Sequence, residues 1–80
     1  MLVFTMDEGF ILSNKFRRAI FDELASGETS IEYIVKKQHI IHKVAMRVVD
    51  DFISGGILEK KGNRYHLTQE GEKLAATIRG

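Results

Sequence analysis

Two stretches of this 80-residue chain concentrate the side chains that bind a polyanion. Residues 36–47 carry Lys36, Lys37, Lys43 and Arg47, residues 60–64 carry Lys60, Lys61 and Arg64, and neither stretch contains an Asp or Glu. The other five of the twelve Lys and Arg are set against all eleven carboxylates, so a net charge of only +1 hides two oppositely charged regions. Clustered cations of this kind displace condensed counterions from phosphates, whatever the net charge. Interleaved with them are groups that read base edges. Arg47 can grip guanine O6 and N7, Met46 can touch a thymine methyl, and His42 or Lys43 can reach a base edge or a phosphate. Asn63, within the second basic stretch, completes the candidate set.

Other chemistries find little support. His39 and His42, three residues apart, could offer two ligands to zinc, but the chain has no cysteine and no obvious third ligand beside them. No metal or other cofactor is expected. There is no glycine-rich phosphate loop, no cysteine nucleophile and no motif pairing carboxylates with a histidine, so catalysis and a small-molecule substrate are not expected either. The lack of cysteine fits a reducing compartment, and a cytoplasmic location is the expectation. Met1 to Met6 is apolar but lacks a preceding basic segment and is interrupted by Asp7-Glu8-Gly9, so neither a leader nor a membrane span is expected.

The elements that must position the candidate residues follow from periodicity. Leu2 to Met6 alternates weakly, as a strand does, and Phe10-Ile11-Leu12 can begin a helix or continue an arm. From about Asn14, Phe16, Ala19, Ile20 and Leu24 recur at helical spacing, and Ser26-Gly27 closes that helix. Thr29-Ser30-Ile31-Glu32 reads as a capping box that starts a short helix, with Lys36-Lys37 at its C-terminal end, where they complement the helix dipole. The turn Gln38-His39-Ile40 leads into a helix from about Ile41, with Ile41, Val44, Ala45, Val48, Val49, Phe52 and Ile53 as its core stripe. Lys43, Met46, Arg47, Asp50 and Ser54 fall opposite that stripe, with His42 at its flank. Gly55-Gly56 ends the helix, and the period then changes to two. Ile57 to Lys60 and Tyr65 to Leu67 read as strands of a hairpin around Lys61-Gly62-Asn63-Arg64. Thr68 caps a last helix whose inner face is Gly71, Leu74, Ala75 and Ile78.

Helix, short turn, helix and hairpin is the order of a winged helix-turn-helix, whose second helix enters the major groove. Phe16 to Leu24 resembles the helix that precedes the motif in the arsenical-resistance and multiple-antibiotic-resistance regulators of prokaryotes. Phe52-Ile53-Ser54-Gly55-Gly56-Ile57-Leu58 resembles their helix-to-strand junction, and Tyr65-His66-Leu67-Thr68-Gln69-Glu70-Gly71 their strand ending in Leu-Thr-x-x-Gly. The resemblance spans about residues 14 to 78 and departs from many such motifs in lacking a glycine in the inter-helix turn. Histidine tolerates left-handed geometry better than most residues and is expected to serve there.

The expectation is therefore an α+β, mainly α, single winged-helix domain over 1–80: an arm over 1–13, helix-turn-helix plus wing over 14–67 and a final helix over 68–80. The resemblance implies a transcriptional regulator, a repressor by preference, that binds double-stranded DNA as a homodimer. Its DNA-facing residues would be Lys36, Lys37, His42, Lys43, Met46, Arg47, Lys60, Lys61, Asn63 and Arg64. The competing readings are plain ones. The helix charges can be a solvated face, with Asp50 pairing with Arg47 or repelling phosphate, and the pairing is expected. The hairpin lysines can simply guard an edge against aggregation. The whole domain can be a protein-interaction module without nucleic-acid binding. RNA binding would need an exposed aromatic platform, for which only Tyr33 and Tyr65 offer themselves. Leu2, Val3, Phe4 and Met6 exceed what so small a core needs and suggest a contact between subunits.

Overall fold

Local hydrogen bonding sets where the helices begin. The computed structural model describes residues 7–79; the weak strand at Leu2 to Met6 and the subunit contact expected there lie outside them. Asp7 accepts from the Phe10 amide at 2.9 Å and starts α1 (Glu8–Leu12), so the segment left open between helix and arm is helical. Asn14 accepts from the Phe16 and Arg17 amides at 2.8 and 3.2 Å and starts α2 (Lys15–Ala25). The Arg17 guanidinium lies 3.7 Å from the centre of the Phe10 ring and donates to the Phe10 carbonyl, tying α1 to α2.

The next cap falls one residue later than the sequence suggests. α3 (Ile31–Gln38) begins at Ser30, whose hydroxyl accepts from the Tyr33 amide at 3.2 Å. Thr29 does not cap because Glu28 accepts from both the Thr29 and Ser30 amides, at 3.0 and 2.9 Å. Thr29 instead holds the hairpin: its carbonyl accepts from the Tyr65 amide at 3.0 Å and its hydroxyl from Arg64 at 2.8 Å. At the other end of α3, His39 adopts φ 54° and ψ 44°, the left-handed conformation that glycine usually supplies. The next residue, Ile40, turns into the core.

α4 (His42–Ser54) buries Ala45, Val48, Val49 and Phe52, but not the whole stripe read from spacing. Ile41 is 72% exposed because it precedes the first helical turn, with φ −63° and ψ 130°, and Ile40 takes the inward place. Ile53 is 40% exposed; eight residues after Ala45 it has rotated roughly 80° off the buried centre at 100° per residue. Phe52 meets Phe21 of α2 edge to face, with ring centres 6.0 Å apart at 89°.

β1 (Leu58–Lys61) pairs antiparallel with β2 (Arg64–Leu67), Leu58 opposite Leu67 and Lys61 opposite Arg64. The turn is therefore only Gly62-Asn63, narrower than the four residues expected, and Gly62 provides the positive φ of 63° that a two-residue hairpin needs at its first position. Thr68 donates to the Gly56 carbonyl at 2.6 Å and accepts from the Gly71 amide at 3.1 Å, capping α5 (Gln69–Arg79) while fastening it to the entry of the hairpin. A β-carbon at Gly71 would run into the Ile57 carbonyl, so this helix reaches its seat only because position 71 has none.

The core draws on every element: Ile11 from α1, Ile20, Phe21 and Leu24 from α2, Ile31 and Ile34 from α3, the α4 stripe, Leu58 and Tyr65 from the hairpin and Ala75 from α5. No polar side chain is buried among the described residues. The architecture is α+β and mainly helical, a winged-helix layout of a three-helix core, a two-stranded wing and a final helix, preceded by the short α1.

Candidate functional site

α4 turns its inner face to α2 and α3, which leaves Lys43, Arg47 and Asp50 exposed along the outer one. His42 and Met46, four residues apart, share one flank, and on that flank stands the wing. Between them lies a cleft of about 330 Å³, lined by Ser30, Ile31 and Glu32 from the start of α3, His42 and Met46 from α4, and Lys60, Asn63 and Tyr65 from the wing. A second, more open hollow of about 840 Å³ runs along α4 itself, bordered by His42, Lys43, Met46, Arg47 and the carboxylates Asp50 and Asp51. His42 and Met46 border both, which makes the two hollows one continuous surface.

Six of the ten residues expected at a DNA interface thus border this surface: His42, Lys43, Met46, Arg47, Lys60 and Asn63. The other four line neither hollow. Lys37 is drawn to α2, where its ammonium lies 3.0 Å from Glu23, and Gln38 donates to the same carboxylate at 2.7 Å. Partial burial pushes the Glu23 carboxyl up, but the hydrogen bonds from Lys37 and Gln38 and the Lys37 charge outweigh it and hold the group below its ordinary value. Lys37 is raised in turn, first by its hydrogen bond to Glu23 and then by the charge of that carboxylate. Lys61 pairs with Glu59 at 3.2 Å, two residues away on the same strand. Arg64 reaches back to Thr29 and braces the root of the wing. Lys36 is exposed and has no ion pair among the described residues.

The expected Arg47–Asp50 pair is not formed; the ion pairs among the described residues join Lys37 to Glu23, Lys61 to Glu59 and Lys73 to Glu70. Exposed helix pairs at this spacing are worth only about 0.2–0.5 kcal/mol, so little energy separates the unpaired Arg47 and Asp50 from the paired Lys73 and Glu70. Lys43 and Arg47 are consequently free of carboxylate partners, and Lys60 lies 5.7 Å from the centre of the Tyr65 ring beside it.

Several residues of the surface escaped the sequence reading, among them Asp51, Glu32 and Tyr65. Glu32, taken there as half of a capping box, is exposed and lines the wing cleft. Tyr65 lines it as well, and its place opposite Lys60 in the ladder was readable once the hairpin register was known. Among the described residues no three His, Cys, Asp or Glu converge as metal ligands, and no helix is long and apolar enough to cross a membrane. Compared with protein-family models, with curated proteins and with solved structures, the chain finds no match.

Proposed function

We propose that the protein is a sequence-specific double-stranded-DNA-binding transcriptional regulator, of the kind that residues 14–78 resemble, in which α4 enters the major groove and the wing lies alongside. The observation that carries this reading is the continuity of the α4 face with the wing cleft, on which Lys43, Arg47 and Lys60 form no ion pair although Glu32, Asp50 and Asp51 border the same surface. Such cations cost the free protein little in water and gain most beside phosphates. His42, Met46, Arg47 and Asn63 supply the donors and the apolar tip that base edges require.

In this reading the regulator acts as a cytoplasmic homodimer and works by occupancy, blocking polymerase as a repressor. Two protomers on one face of the duplex read half-sites about one helical turn, ~34 Å, apart.

Selection from random duplexes tests the reading. A pseudo-palindromic site is expected, and Arg47→Ala then changes the preferred bases, with a loss of about 1–3 kcal/mol at the position it reads. Lys60→Ala weakens binding to all sequences alike. An affinity too weak to measure at low salt would contradict the reading and favour a protein-interaction module.

A further inference from the structure

Ile41 serves neither of the two roles its position offers. It is the N-cap of α4, where a side-chain oxygen would satisfy an unpaired amide, yet it makes no capping bond. The other four helices are capped by Asp7, Asn14, Ser30 and Thr68. Nor does it join the core, since 72% of it is exposed while Ile40 and Ala45 on either side are buried. A branched apolar side chain is thus held out at the leading end of α4, directly before His42, which with Met46 borders both hollows, and Lys43, which forms no ion pair among the described residues. Ile41 itself lines neither hollow and stands just ahead of them at the leading end of the α4 face, and an exposed apolar group there fits a polyanion that displays apolar groups of its own. On the edges of bases in the major groove that group is the thymine C5-methyl.

We propose that Ile41 packs against a thymine methyl and makes the protein prefer thymine at one position of each half-site. The proposal rests on the duplex-DNA reading and adds a base to it. The leading end of the second helix of a helix-turn-helix is the part that meets base edges, so the side chain held out there is presented to them. Lys60 supplies attraction that is blind to sequence and Arg47 a donor for a base edge; Ile41 adds selection through the removal of apolar surface from water.

The test uses the duplex recovered by selection, together with copies in which single thymines are replaced by deoxyuridine, which lacks only the methyl. The wild-type protein is expected to bind one such copy per half-site about fourfold more weakly, the equivalent of one methyl group buried. Ile41→Ser is expected to bind the thymine and deoxyuridine duplexes equally, while the new hydroxyl caps α4 and raises Tm by about 4–8 °C. Retained discrimination in Ile41→Ser, with normal duplex binding, overturns the role of Ile41 and leaves the DNA reading intact. No duplex binding by the wild-type protein overturns both. A change of oligomeric state in Ile41→Ser, without a change in discrimination, assigns the side chain to a contact between copies and overturns the proposal as well.

Discussion

A carboxylate at position 32 stands in the same cleft as His42, Lys60 and Asn63, and its charge opposes any phosphate that Lys60 attracts. Two unit charges a few ångströms apart in water interact by roughly 1 kcal/mol or less, so Glu32, set against Lys60 in the cleft lining, weakens its pull on a phosphate only modestly. Glu32→Gln is expected to tighten duplex binding roughly two- to fivefold at low salt with no loss of thermal stability, measured by anisotropy titration and a melting curve. A variant that binds no better would remove Glu32 from the interface. The same bookkeeping of charges separates Lys37 and Lys61, already neighbours of Glu23 and Glu59, from Lys36, Lys43, Arg47, Lys60 and Arg64, which touch no carboxylate among the described residues. Residue type alone does not draw that line. Lysine at 37 and lysine at 36 are alike in the sequence, and only the turn of α3 against α2 decides which of them meets Glu23.

Elements in this fold are held in place by a few local bonds, and the seat of α5 is the clearest case. Alanine in a helix interior is ordinarily favoured over glycine by roughly 0.5–1 kcal/mol, yet a β-carbon at Gly71 meets the Ile57 backbone carbonyl, which is itself fixed by the Thr68 amide at 3.0 Å. Because that obstacle is backbone, the helix must shift, and Gly71→Ala is expected to lower stability by about 1–3 kcal/mol in denaturant unfolding. Gly9→Ala is the control: its β-carbon would meet only the Asp7 side chain, at 3.4 Å, and stability should hold or rise slightly. If both variants behave alike, the account of the α5 seat is wrong. Much at this scale was legible in the sequence, because caps, glycines and apolar spacing are local signals. Asn14, Ser26, His39 and Thr68 mark element ends where the structure has them. What escaped depends on residues distant in sequence. Thr29 fails as a cap because Glu28 and the wing claim the groups around it, and α4 loses Ile41 from its stripe because the turn admits Ile40 instead, and Ile53 because it has rotated off the buried centre. Periodicity finds a helix face but cannot fix its first residue to within one position.

On the scale of the whole molecule, charge and shape coincide. The protein measures 35 × 26 × 21 Å, so two copies placed end to end along the 35 Å axis have centres separated by close to the ~34 Å between half-sites on one face of a duplex. The exposed edge of α4 and the wing form one surface to which Lys43, Arg47 and Lys60 contribute, with Arg64 bracing the wing from its root and Lys36 exposed on α3. These five cations set the expected number of phosphate contacts for each protomer, because Lys37 and Lys61 are already paired. The measurement that bears most directly on the central claim is duplex affinity across a range of salt concentrations. Five contacts predict that log K falls against log salt with a slope of about −4.5 for each protomer bound. A flat dependence, or an affinity beyond detection at low salt, would contradict it.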